Sequence, residues 1–308
     1  MHLTVAIATW NRAALLAQTL GSLSTVRVPQ GTQWEVLVCD NNSTDETKSV
    51  VEQAAANATL QNQPGLSSVR YLFEGTQGKS HALNQILREA TGQWILFLDD
   101  DVIVDPDWMR NMLRAIAARP KAAILGGPIL PRLYRKVSAK EQFLIEHYPG
   151  AYGILDFEHD APIRDPHPTP GGANMAVRRD VALGIGFDAA LGMFGGQRVA
   201  GEDVTMALRI LAAGHEGWLI ADAKVLHHTP DDCLGSRRLF QWQRGIGRTW
   251  LLDRGKPKAG KFGVAWWAWR EMGRRYLRKC LLWRPWPSKA YYDALVQTAQ
   301  YWGYLKGK

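Results

Sequence analysis

The sequence has few cysteines and no long apolar run. Its 308 residues include only Cys39, Cys233 and Cys280, at wide spacings and without a C-x-x-C pair. This usage argues against a disulfide framework or a thiolate zinc site, and it favours a reducing compartment. No stretch approaches the roughly 18 consecutive apolar residues of a membrane-spanning helix, and the first residues lack the pattern of a secretory signal. We therefore expect a cytoplasmic protein.

Acidic residues are scarce toward the end of the chain. From Cys233 onward there are 17 Lys and Arg but only three acidic residues, a balance of +14. Because the whole chain carries +8, the first 232 residues carry about −6. A basic tail on an acidic body predicts a phosphate-bearing partner for the tail, either an anionic membrane surface or a nucleic acid.

Short apolar runs alternate with helix-like segments over the first 120 residues. The predicted strands are LTVAIAT (3–9), WEVLVCD (34–40), VRYLFE (69–74) and QWILFLD (93–99). The predicted helices that follow them lie near residues 12–23, 46–56, 80–90 and 108–118. Four such units predict an α/β domain with a largely parallel sheet. Further helices are predicted within residues 176–187 and 201–216, after a Pro- and Gly-rich loop at 165–172.

The last 60 residues differ in composition from the rest. Residues 253–261 are polar, contain Pro and Gly, and are predicted to form a linker. Residues 266–283 predict an amphipathic helix with Arg270, Arg274 and Arg278 on one face. The predicted apolar face opposite them consists of Trp266, Trp269, Met272, Tyr276, Cys280 and Trp283. This pattern favours a helix on an anionic membrane surface, and packing of the Trp residues on the preceding domain is the alternative.

Polar side chains collect where three predicted strands end, at residues 9–11, 40–42 and 99–101. The carboxyl edge of an open parallel sheet is where ligands bind, beside helix N-termini that favour anions. Asp99 and Asp101 are separated by one residue, so they can point the same way and act together on a hard cation. A solvated acidic turn that caps the next helix is the alternative.

Two further groups have the residue types of a site. Glu202 and Asp203 open an amphipathic helix, where carboxylates complement the helix dipole, and a general base is the alternative to that capping role. His227 and His228 end the segment AKVLHH, and neutral imidazole can join carboxylate oxygens on Mn²⁺. Surface or core positions are the alternative for this histidine pair.

Eight motifs in order resemble the family 2 glycosyltransferases. They are ATWNR, VCDNNSTDET, GKSHALN, FLDDD, GGANMAVRR, LGMFGG, GEDVTMALR and VLHHTP, and the resemblance covers roughly residues 3–247. It implies the GT-A fold, a Rossmann-like three-layer α/β sandwich with a mixed, mainly parallel central sheet, followed here by a C-terminal helical extension. The implied division is a catalytic domain at 1–252, with a nucleotide-binding half to about 120 and an acceptor-binding half from 121, and an extension at 253–308.

The resemblance implies inverting transfer of a sugar from a nucleoside-diphosphate sugar, with a UDP-sugar preferred, to an acceptor hydroxyl in cell-surface polysaccharide or glycolipid assembly. The implied partners are that donor and a glycan or lipid-linked acceptor, and the basic Trp-rich tail adds an anionic membrane surface, with nucleic acid as the weaker alternative for the tail. Peripheral attachment to the inner face of the plasma membrane would follow. The alternative is a non-catalytic module of the same fold that recruits a membrane or nucleic acid through its basic tail.

The resemblance also implies a role for each matching residue. Asp203 matches the catalytic base, and Glu202, Gly172 and Asn174 would lie near the acceptor or the donor sugar. The nucleotide would contact Thr9, Asn11, Arg12, Asp40, Asn42, Lys79, Asn84 and Asp99. Asp101 and His227 would hold Mn²⁺ or Mg²⁺, His227 matching the motif better than His228. Turn formation is the alternative for Asn11, Asn42 and Gly172, and the D-x-D motif leaves Asp100 without a role.

Overall fold

The computed structural model describes residues 1–164, 168–194, 197–199, 201–254, 266–283 and 288–306. Its strands are β1 (His2–Thr9), β2 (Gln33–Asp40), β3 (Leu66–Phe73), β4 (Trp94–Asp99), β5 (Val102–Val104), β6 (Ala122–Gly126), β7 (Ile129–Arg132), β8 (Ala161–Pro162), β9 (Asn174–Arg178), β10 (Gly192–Phe194), β11 (Gln197–Val199), β12 (Glu216–Leu219) and β13 (Val225–His228). Its helices are α1 (Ala13–Leu23), α2 (Thr47–Ala56), α3 (Ala58–Gln61), α4 (Lys79–Glu89), α5 (Trp108–Ala118), α6 (Ala139–His147), α7 (Arg179–Ile185), α8 (Glu202–Ala212), α9 (Ser236–Arg254), α10 (Trp266–Leu281) and α11 (Lys289–Lys306), with short 3₁₀ helices at Pro149–Tyr152 and Asp231–Cys233.

The chain divides into two compact units. Unit 1 consists of Met1–Arg132, Leu155–Gly195 and Glu202–His228. Unit 2 consists of Leu133–Ile154, Gly196–Gly201 and Thr229–Lys308. These units do not coincide with the division predicted after Leu252, because the residues from Thr229 onward cluster with 133–154. The functional boundary at Leu252 therefore stays a prediction.

Unit 1 is built on a mixed sheet in the order β3-β2-β1-β4-β9-β6-β12-β8. The strands from β3 to β4 are parallel, whereas β9 runs antiparallel to both β4 and β6. The four predicted strand-then-helix units are confirmed. The helix predicted within residues 176–187 is confirmed at Arg179–Ile185, but its predicted start is wrong, since Asn174–Arg178 forms strand β9. Ala176 and Val177 are fully buried between two neighbouring strands, a position that favours extended backbone over a helix.

Alternate residues of the central strands face opposite sides of the sheet, as the pleat requires. Leu3, Val5 and Ile7 of β1 belong to an apolar cluster that includes residues of α1, α2 and α5. Ala6 of the same strand and Phe97 of β4 belong to a second cluster, with residues of α4, α7 and α8. Helices therefore cover both faces of the sheet, and the predicted three-layer α/β arrangement is confirmed within unit 1.

A smaller sheet in unit 1 holds β13 between β5 and β7. The pairing is antiparallel to β5 and parallel to β7, with His227 opposite Val102. The backbone N–H of His228 also donates to the carbonyl oxygen of Asp101 at 2.9 Å. His227 and His228 are thus held beside the acidic cluster at the end of β4.

A buried carboxylate lies toward the opposite end of the main sheet. Glu35 accepts hydrogen bonds from the Thr4 hydroxyl at 2.8 Å, from both the hydroxyl and the backbone N–H of Thr91, and from Arg70 at 3.0 Å. Burial alone would raise the pKa of Glu35, but these hydrogen bonds outweigh it and lower the pKa below the usual value. Glu35 therefore links β1, β2, β3 and the turn before β4 in its ionised form.

We expect Glu35→Gln to lower the free energy of unfolding at pH 7 by about 1–3 kcal/mol, because it weakens charge-assisted hydrogen bonds in a buried position. The stabilisation by ionised Glu35 is complete above its unfolded-state pKa near 4.5 and is lost as the pH falls through the lower folded-state pKa. The difference from the parent chain, measured by urea unfolding, should therefore shrink between pH 7 and about pH 3.5. Glu52→Gln, at an exposed carboxylate 3.9 Å from Lys48, is the control and should change stability by less than about 0.5 kcal/mol. A pH-independent loss in Glu35→Gln would contradict this assignment.

Unit 2 is mainly helical. An apolar cluster joins α6, the 3₁₀ turn at Pro149–Tyr152, α9 and α11 through residues such as Leu144, Tyr152 and Leu239. Helices α9 and α11 pack closely, since a Cβ atom on Gly303 would lie 2.0 Å from the Arg244 carbonyl oxygen. The predicted linker is wrong at its start, because α9 continues to Arg254. The rest of it, residues 255–261, lies outside the described residues.

Helix α10 confirms the predicted helix near residues 266–283, but its faces differ from the prediction. Ala268 is buried, and Arg275 lies over the ring of Tyr301 of α11 at 4.8 Å, so a basic side chain packs on the inner side. Trp266 and Leu277 are exposed on the same side as Arg270. Aromatic and basic residues therefore share the outer side. The inner side is the one that packs against α11, and it does not coincide with the predicted apolar face. Within the part of the chain that the structure describes, no helix has the length and apolarity to cross a membrane.

Candidate functional site

Three strands of unit 1 end at the same level of the sheet. In the register of β1 with its neighbours, Thr9 lies opposite Asp40 and Ala8 lies opposite Asp99. The polar residues that follow these strands are therefore neighbours in space, as the strand-end pattern predicts. This edge lies where open α/β sheets bind ligands.

Lys79, the first residue of α4, is surrounded by carboxylates. Its Nζ lies 2.6 Å from Asp99 Oδ1 and 3.7 Å from Glu202 Oε1. Burial opposes the charge on Lys79, but these two carboxylates outweigh it and raise its pKa. Burial would likewise raise the pKa of Asp99, but Lys79 lowers it. The ion pair links the end of β4 to the start of α8.

Asp100 is the middle residue of the acidic triplet and holds two side chains that the resemblance assigns to the nucleotide. The Thr9 hydroxyl donates to Asp100 Oδ2 at 2.7 Å, and Arg12 Nη1 donates to Asp100 Oδ1 at 3.0 Å. Arg12 also donates to Asp101 Oδ2 at 2.7 Å. Burial raises the pKa of Asp100 to about 6, although Arg12 acts in the opposite direction. The structure thus gives Asp100 a role in positioning Arg12, and it uses Thr9 and Arg12 within the acidic cluster.

Asp99, Asp101 and His227 each offer one ligand atom, and these atoms lie within 4.8 Å of one another. His227 Nε2 lies 3.2 Å from Asp101 Oδ1, and Asp101 is buried. Burial lowers the pKa of His227, but the hydrogen bond to Asp101 outweighs this and raises it. Two carboxylates and one imidazole are a donor set that fits Mn²⁺. The group contains His227 and not His228, and the assignment of His227 as a metal ligand stays a prediction.

Asp203, the second residue of α8, faces the loop before β9. The backbone N–H of Gly172 donates to Asp203 Oδ2 at 2.9 Å, and that of Val204 donates to Oδ1 at 2.8 Å. A Cβ atom on Gly172 would lie 3.6 Å from Asp203 Oδ2 and 3.7 Å from Lys79 Nζ, so a larger side chain would extend between these two groups. Glycine at this position keeps the space next to Asp203 open.

A small cleft lies next to these groups. Its polar lining is Lys79, Asp99, Gly172, Glu202 and Asp203, and its apolar lining is Ala8, Leu83, Phe97, Leu98, Met175 and Phe187. The cleft therefore places a cation, a hydrogen-bonded carboxylate and an apolar floor beside the Asp99–Asp101–His227 group.

Asp40 lies at the end of β2 with its carboxylate fixed from two sides. The Ser43 backbone N–H donates to Oδ1 at 2.9 Å, and the Tyr71 hydroxyl donates to Oδ2 at 2.8 Å. Burial and this hydrogen bond to Asp40 raise the pKa of Tyr71. The carboxylate is therefore held in one orientation with acceptor capacity to spare.

Asn11 and Asn42 adopt left-handed backbone conformations, with φ of 53° and 66°. Asn tolerates this region better than other non-glycine residues do. The Asn11 side-chain oxygen also accepts a hydrogen bond from the Thr44 backbone N–H at 2.7 Å. These observations support the turn alternative for both residues, and their contact with a nucleotide stays a prediction.

Two predicted site residues use their side chains elsewhere. The Asn84 amide both donates to and accepts from the backbone of Phe187, each at 2.8 Å. Asn174 is fully buried and accepts from Trp108 Nε1 at 2.9 Å. Its side-chain N–H groups donate to the carbonyl oxygens of Pro128 and Ala223. Asn84 thus ties helix α4 to the loop at Phe187, and Asn174 ties the start of β9 to α5 and to the segments at Pro128 and Ala223. Their roles near the nucleotide and the donor sugar stay predictions, which these side-chain hydrogen bonds do not support.

Some contributing residues were missed in the sequence. Tyr71 is one, because the position of a tyrosine in the middle of a predicted strand does not indicate that its hydroxyl bonds Asp40. Asn41 is another, since its side chain accepts from the backbone N–H of Gly78 and donates to the carbonyl oxygens of Glu74 and Thr76. Asn41 lies in the motif VCDNNSTDET, in which the sequence assigns the adjacent Asn42 to the nucleotide. Asn41 shapes the loop that leads into Lys79.

Comparison with known proteins identifies the relatives of this chain. The family model described as glycosyl transferase family 2 matches residues 4–184. The succinoglycan biosynthesis protein ExoM of Rhizobium meliloti is 28% identical over 207 residues, which cover 64% of this chain and 59% of that protein. The glucosyl-dolichyl phosphate glucuronosyltransferase of Haloferax volcanii is 26% identical over 146 residues, 46% of this chain and 44% of that one. The chain thus aligns with about half the length of these relatives.

Solved structures share the fold. The mannosyltransferase PcManGT from Pyrobaculum calidifontis, in complex with GDP-Man and Mn²⁺, has a TM-score of 0.61 at 18% identity and covers 96% of this chain and 85% of that one. Residues 1–349 of TarS from S. aureus, in complex with UDP-GlcNAc, have a TM-score of 0.55 at 18% identity and cover 80% of this chain and 66% of that one. These matches confirm the predicted GT-A fold.

Proposed function

The chain belongs to the family 2 glycosyltransferases, and from that premise we propose that it transfers a sugar from a nucleoside-diphosphate sugar to an acceptor hydroxyl, with inversion at the anomeric carbon. The observation that carries the proposal is the single cleft in which Asp203 and Lys79 lie beside the Asp99–Asp101–His227 group. A general base, a cation and a metal-binding donor set are the parts that such a transfer needs.

We assign the donor nucleotide to the edge formed by β1, β2 and β4. Asp40 is a fixed acceptor suited to the N–H group of a uracil ring, which is why a UDP-sugar is the preferred donor. Asp99 is assigned to the ribose and Lys79 to the diphosphate side of the cleft. TarS is described with UDP-GlcNAc and PcManGT with GDP-Man, which supports a nucleotide-sugar donor and makes guanosine the competing base.

Asp101 and His227 would hold the divalent cation, with Asp99 as the third candidate ligand. When bound, Mn²⁺ or Mg²⁺ supplies positive charge that stabilises the leaving diphosphate. Arg12 lies against the same carboxylates and supplies further positive charge at this edge. Asp100 acts on the reaction indirectly, by holding Arg12 in place.

Asp203 is the proposed base. Its two backbone hydrogen bonds fix the carboxylate at the start of α8, and the space left open at Gly172 gives the acceptor access. Asp203 takes the proton from the acceptor hydroxyl while that oxygen attacks the anomeric carbon from the face opposite the diphosphate, which gives inversion without a covalent intermediate. Glu202, paired with Lys79, positions the acceptor side of the cleft.

The acceptor is proposed from the relatives. One is described as a succinoglycan biosynthesis protein and another acts on a glucosyl-dolichyl phosphate. Both names support an acceptor in cell-surface polysaccharide or lipid-linked glycan assembly.

Nucleotide binding tests the donor assignment first. We expect UDP with Mn²⁺ to raise the thermal midpoint of the purified chain by several degrees, because a ligand at 100 times its dissociation constant stabilises by about 2.7 kcal/mol. Without the cation, or with CDP or ADP, the shift should be smaller. The best nucleotide is then supplied as its sugar derivatives with a panel of acceptors. A larger shift with GDP would overturn the choice of base, and donor binding without turnover on every acceptor would favour the non-catalytic alternative.

A further inference from the structure

The outer side of α10 carries large apolar side chains in solvent. Trp266, Leu277 and Leu281 are 64%, 59% and 69% exposed. They fall on one line along the helix with two exposed arginines, and we call this line the α10 stripe: Trp266, Arg270, Arg274, Leu277 and Leu281. Single exposed apolar residues are ordinary, but a row of them on one helix marks an interaction surface.

Contacts within unit 2 leave the stripe uncovered by fixing the other side of α10. Trp267 lies 6.5 Å from the ring of Tyr304, and Lys306 lies over the ring of Trp269 at 5.3 Å. With Arg275 also over an α11 ring, the inner side of α10 is satisfied by α11. The side of α10 that packs within unit 2 is therefore not the side that carries the stripe.

The helix that carries the stripe is also strongly basic. Helix α10 has five cationic side chains and one carboxylate, Glu271, a balance of +4. Glu271 pairs with Arg274 at 3.0 Å and with Arg275. Arg270 of the stripe and Arg278, which lies beside it on α10, form no ion pair with any residue in the described ranges, so both are available to an external anion.

The mixture of residue types distinguishes between anionic partners. Single-stranded nucleic acid would use the arginines and stack bases on Trp266, but Leu277 and Leu281, which are as exposed as Trp266, offer nothing to a base. A phospholipid surface uses all five residues, because phosphate headgroups receive the guanidinium groups while the Trp and Leu side chains enter the apolar layer beneath. Charge and apolar exposure on one helix face thus favour a membrane.

We propose that the α10 stripe binds the surface of an anionic phospholipid membrane. The chain would then lie on the bilayer surface through α10, with the helix axis parallel to the membrane plane. This binding does not depend on the proposed sugar transfer, so its test is separate from that of the catalytic site.

The experiment is sedimentation of the full chain with vesicles of phosphatidylcholine alone or with about 30% phosphatidylglycerol, a typical anionic model surface. We expect binding to the anionic vesicles at low salt, weaker binding to neutral vesicles, and a decrease in binding as the salt concentration rises. The double variant Leu277→Gln/Leu281→Gln and the double variant Arg270→Gln/Arg278→Gln should each reduce the affinity about tenfold or more.

The controls remove two leucines or two positively charged residues elsewhere. Leu183→Gln/Leu208→Gln changes two leucines of unit 1 that are 40% and 54% exposed, and Lys121→Gln/Lys140→Gln changes two exposed lysines. Both should bind vesicles as the parent chain does. Because all of these side chains are exposed, the thermal midpoints should be unchanged, which excludes unfolding as the cause of lost binding.

Three outcomes would overturn the proposal. One is absence of binding to anionic vesicles, and another is unchanged binding in the Leu277→Gln/Leu281→Gln variant. The third is tight binding of a single-stranded DNA oligonucleotide that removes the chain from vesicles and is insensitive to the leucine changes. Retained nucleotide binding in the stripe variants would support the separation of this surface from the donor site.

Discussion

Asp203→Asn is expected to lower kcat for sugar transfer by about 10²–10⁴-fold, the range that a positioned general base contributes. The donor KM should change by no more than about twofold, because the substitution preserves shape and keeps one of the two backbone hydrogen bonds, the one to the remaining oxygen. The measurement is initial-rate kinetics with Mn²⁺ and the donor and acceptor identified in the binding and acceptor panels. A selective loss in kcat would place Asp203 in the proton transfer.

The matched control is Asp180→Asn, an exposed carboxylate in the first turn of α7 that pairs with Arg178. It should leave both kinetic constants unchanged. Unchanged turnover in Asp203→Asn would remove the proposed mechanism. A rise in KM of the donor or acceptor with unchanged kcat would instead make Asp203 a binding residue.

Asp101→Ala is expected to weaken Mn²⁺ binding by about 100-fold or more, because loss of even an outer partner of a metal ligand costs 10–100-fold. His227→Ala should have a comparable effect, since the two side chains lie 3.2 Å apart in the same group. Free Mn²⁺ is measured by electron paramagnetic resonance during titration of the protein, with UDP present and absent. This measurement does not require the acceptor.

His228→Ala and Asp222→Asn are the controls for this experiment. His228 is outside the group that offers three ligand atoms, and Asp222 is an exposed carboxylate that pairs with Arg114. Both variants should bind Mn²⁺ as the parent chain does. Loss of binding in His228→Ala but not in His227→Ala would reverse the choice between the two histidines, and normal binding in Asp101→Ala would exclude the proposed site.

The sequence predicts the strand-end part of this site well because its determinants are local. An apolar run ending in Asp99-Asp100-Asp101 fixes both a buried strand and the polar residues at its carboxyl end, and the sheet edge then follows from the α/β class. These steps require no knowledge of a distant contact. The register of β1 with β2 and β4 does require it, and only the folded chain shows that Asp40 lies opposite Thr9 and Asp99 opposite Ala8.

The partners of individual polar side chains were not predictable in the same way. Arg12 follows a strand end like Asn11, yet only the folded chain shows that it pairs with Asp100 and Asp101. Asn84 and Asn174 have side chains suited to a ligand, but groups brought close by tertiary packing, mostly backbone carbonyl and N–H groups, already hydrogen-bond to them. The start of the helix predicted within residues 176–187 was wrong for a related reason, because burial of Ala176 and Val177 between two strands overrode the local pattern.

The insertion of β13 between β5 and β7 links the cation site to the order in which the chain can be assembled. His227 is separated by 126 positions from Asp101, so a polypeptide emerging from the ribosome presents the two carboxylates long before the imidazole exists. Closing so long a loop is slow and entropically costly. A divalent ion that binds only the folded arrangement would stabilise the chain once β13 has paired. The cation would then stabilise the pairing of β13, the last strand of unit 1, in addition to its proposed role in sugar transfer.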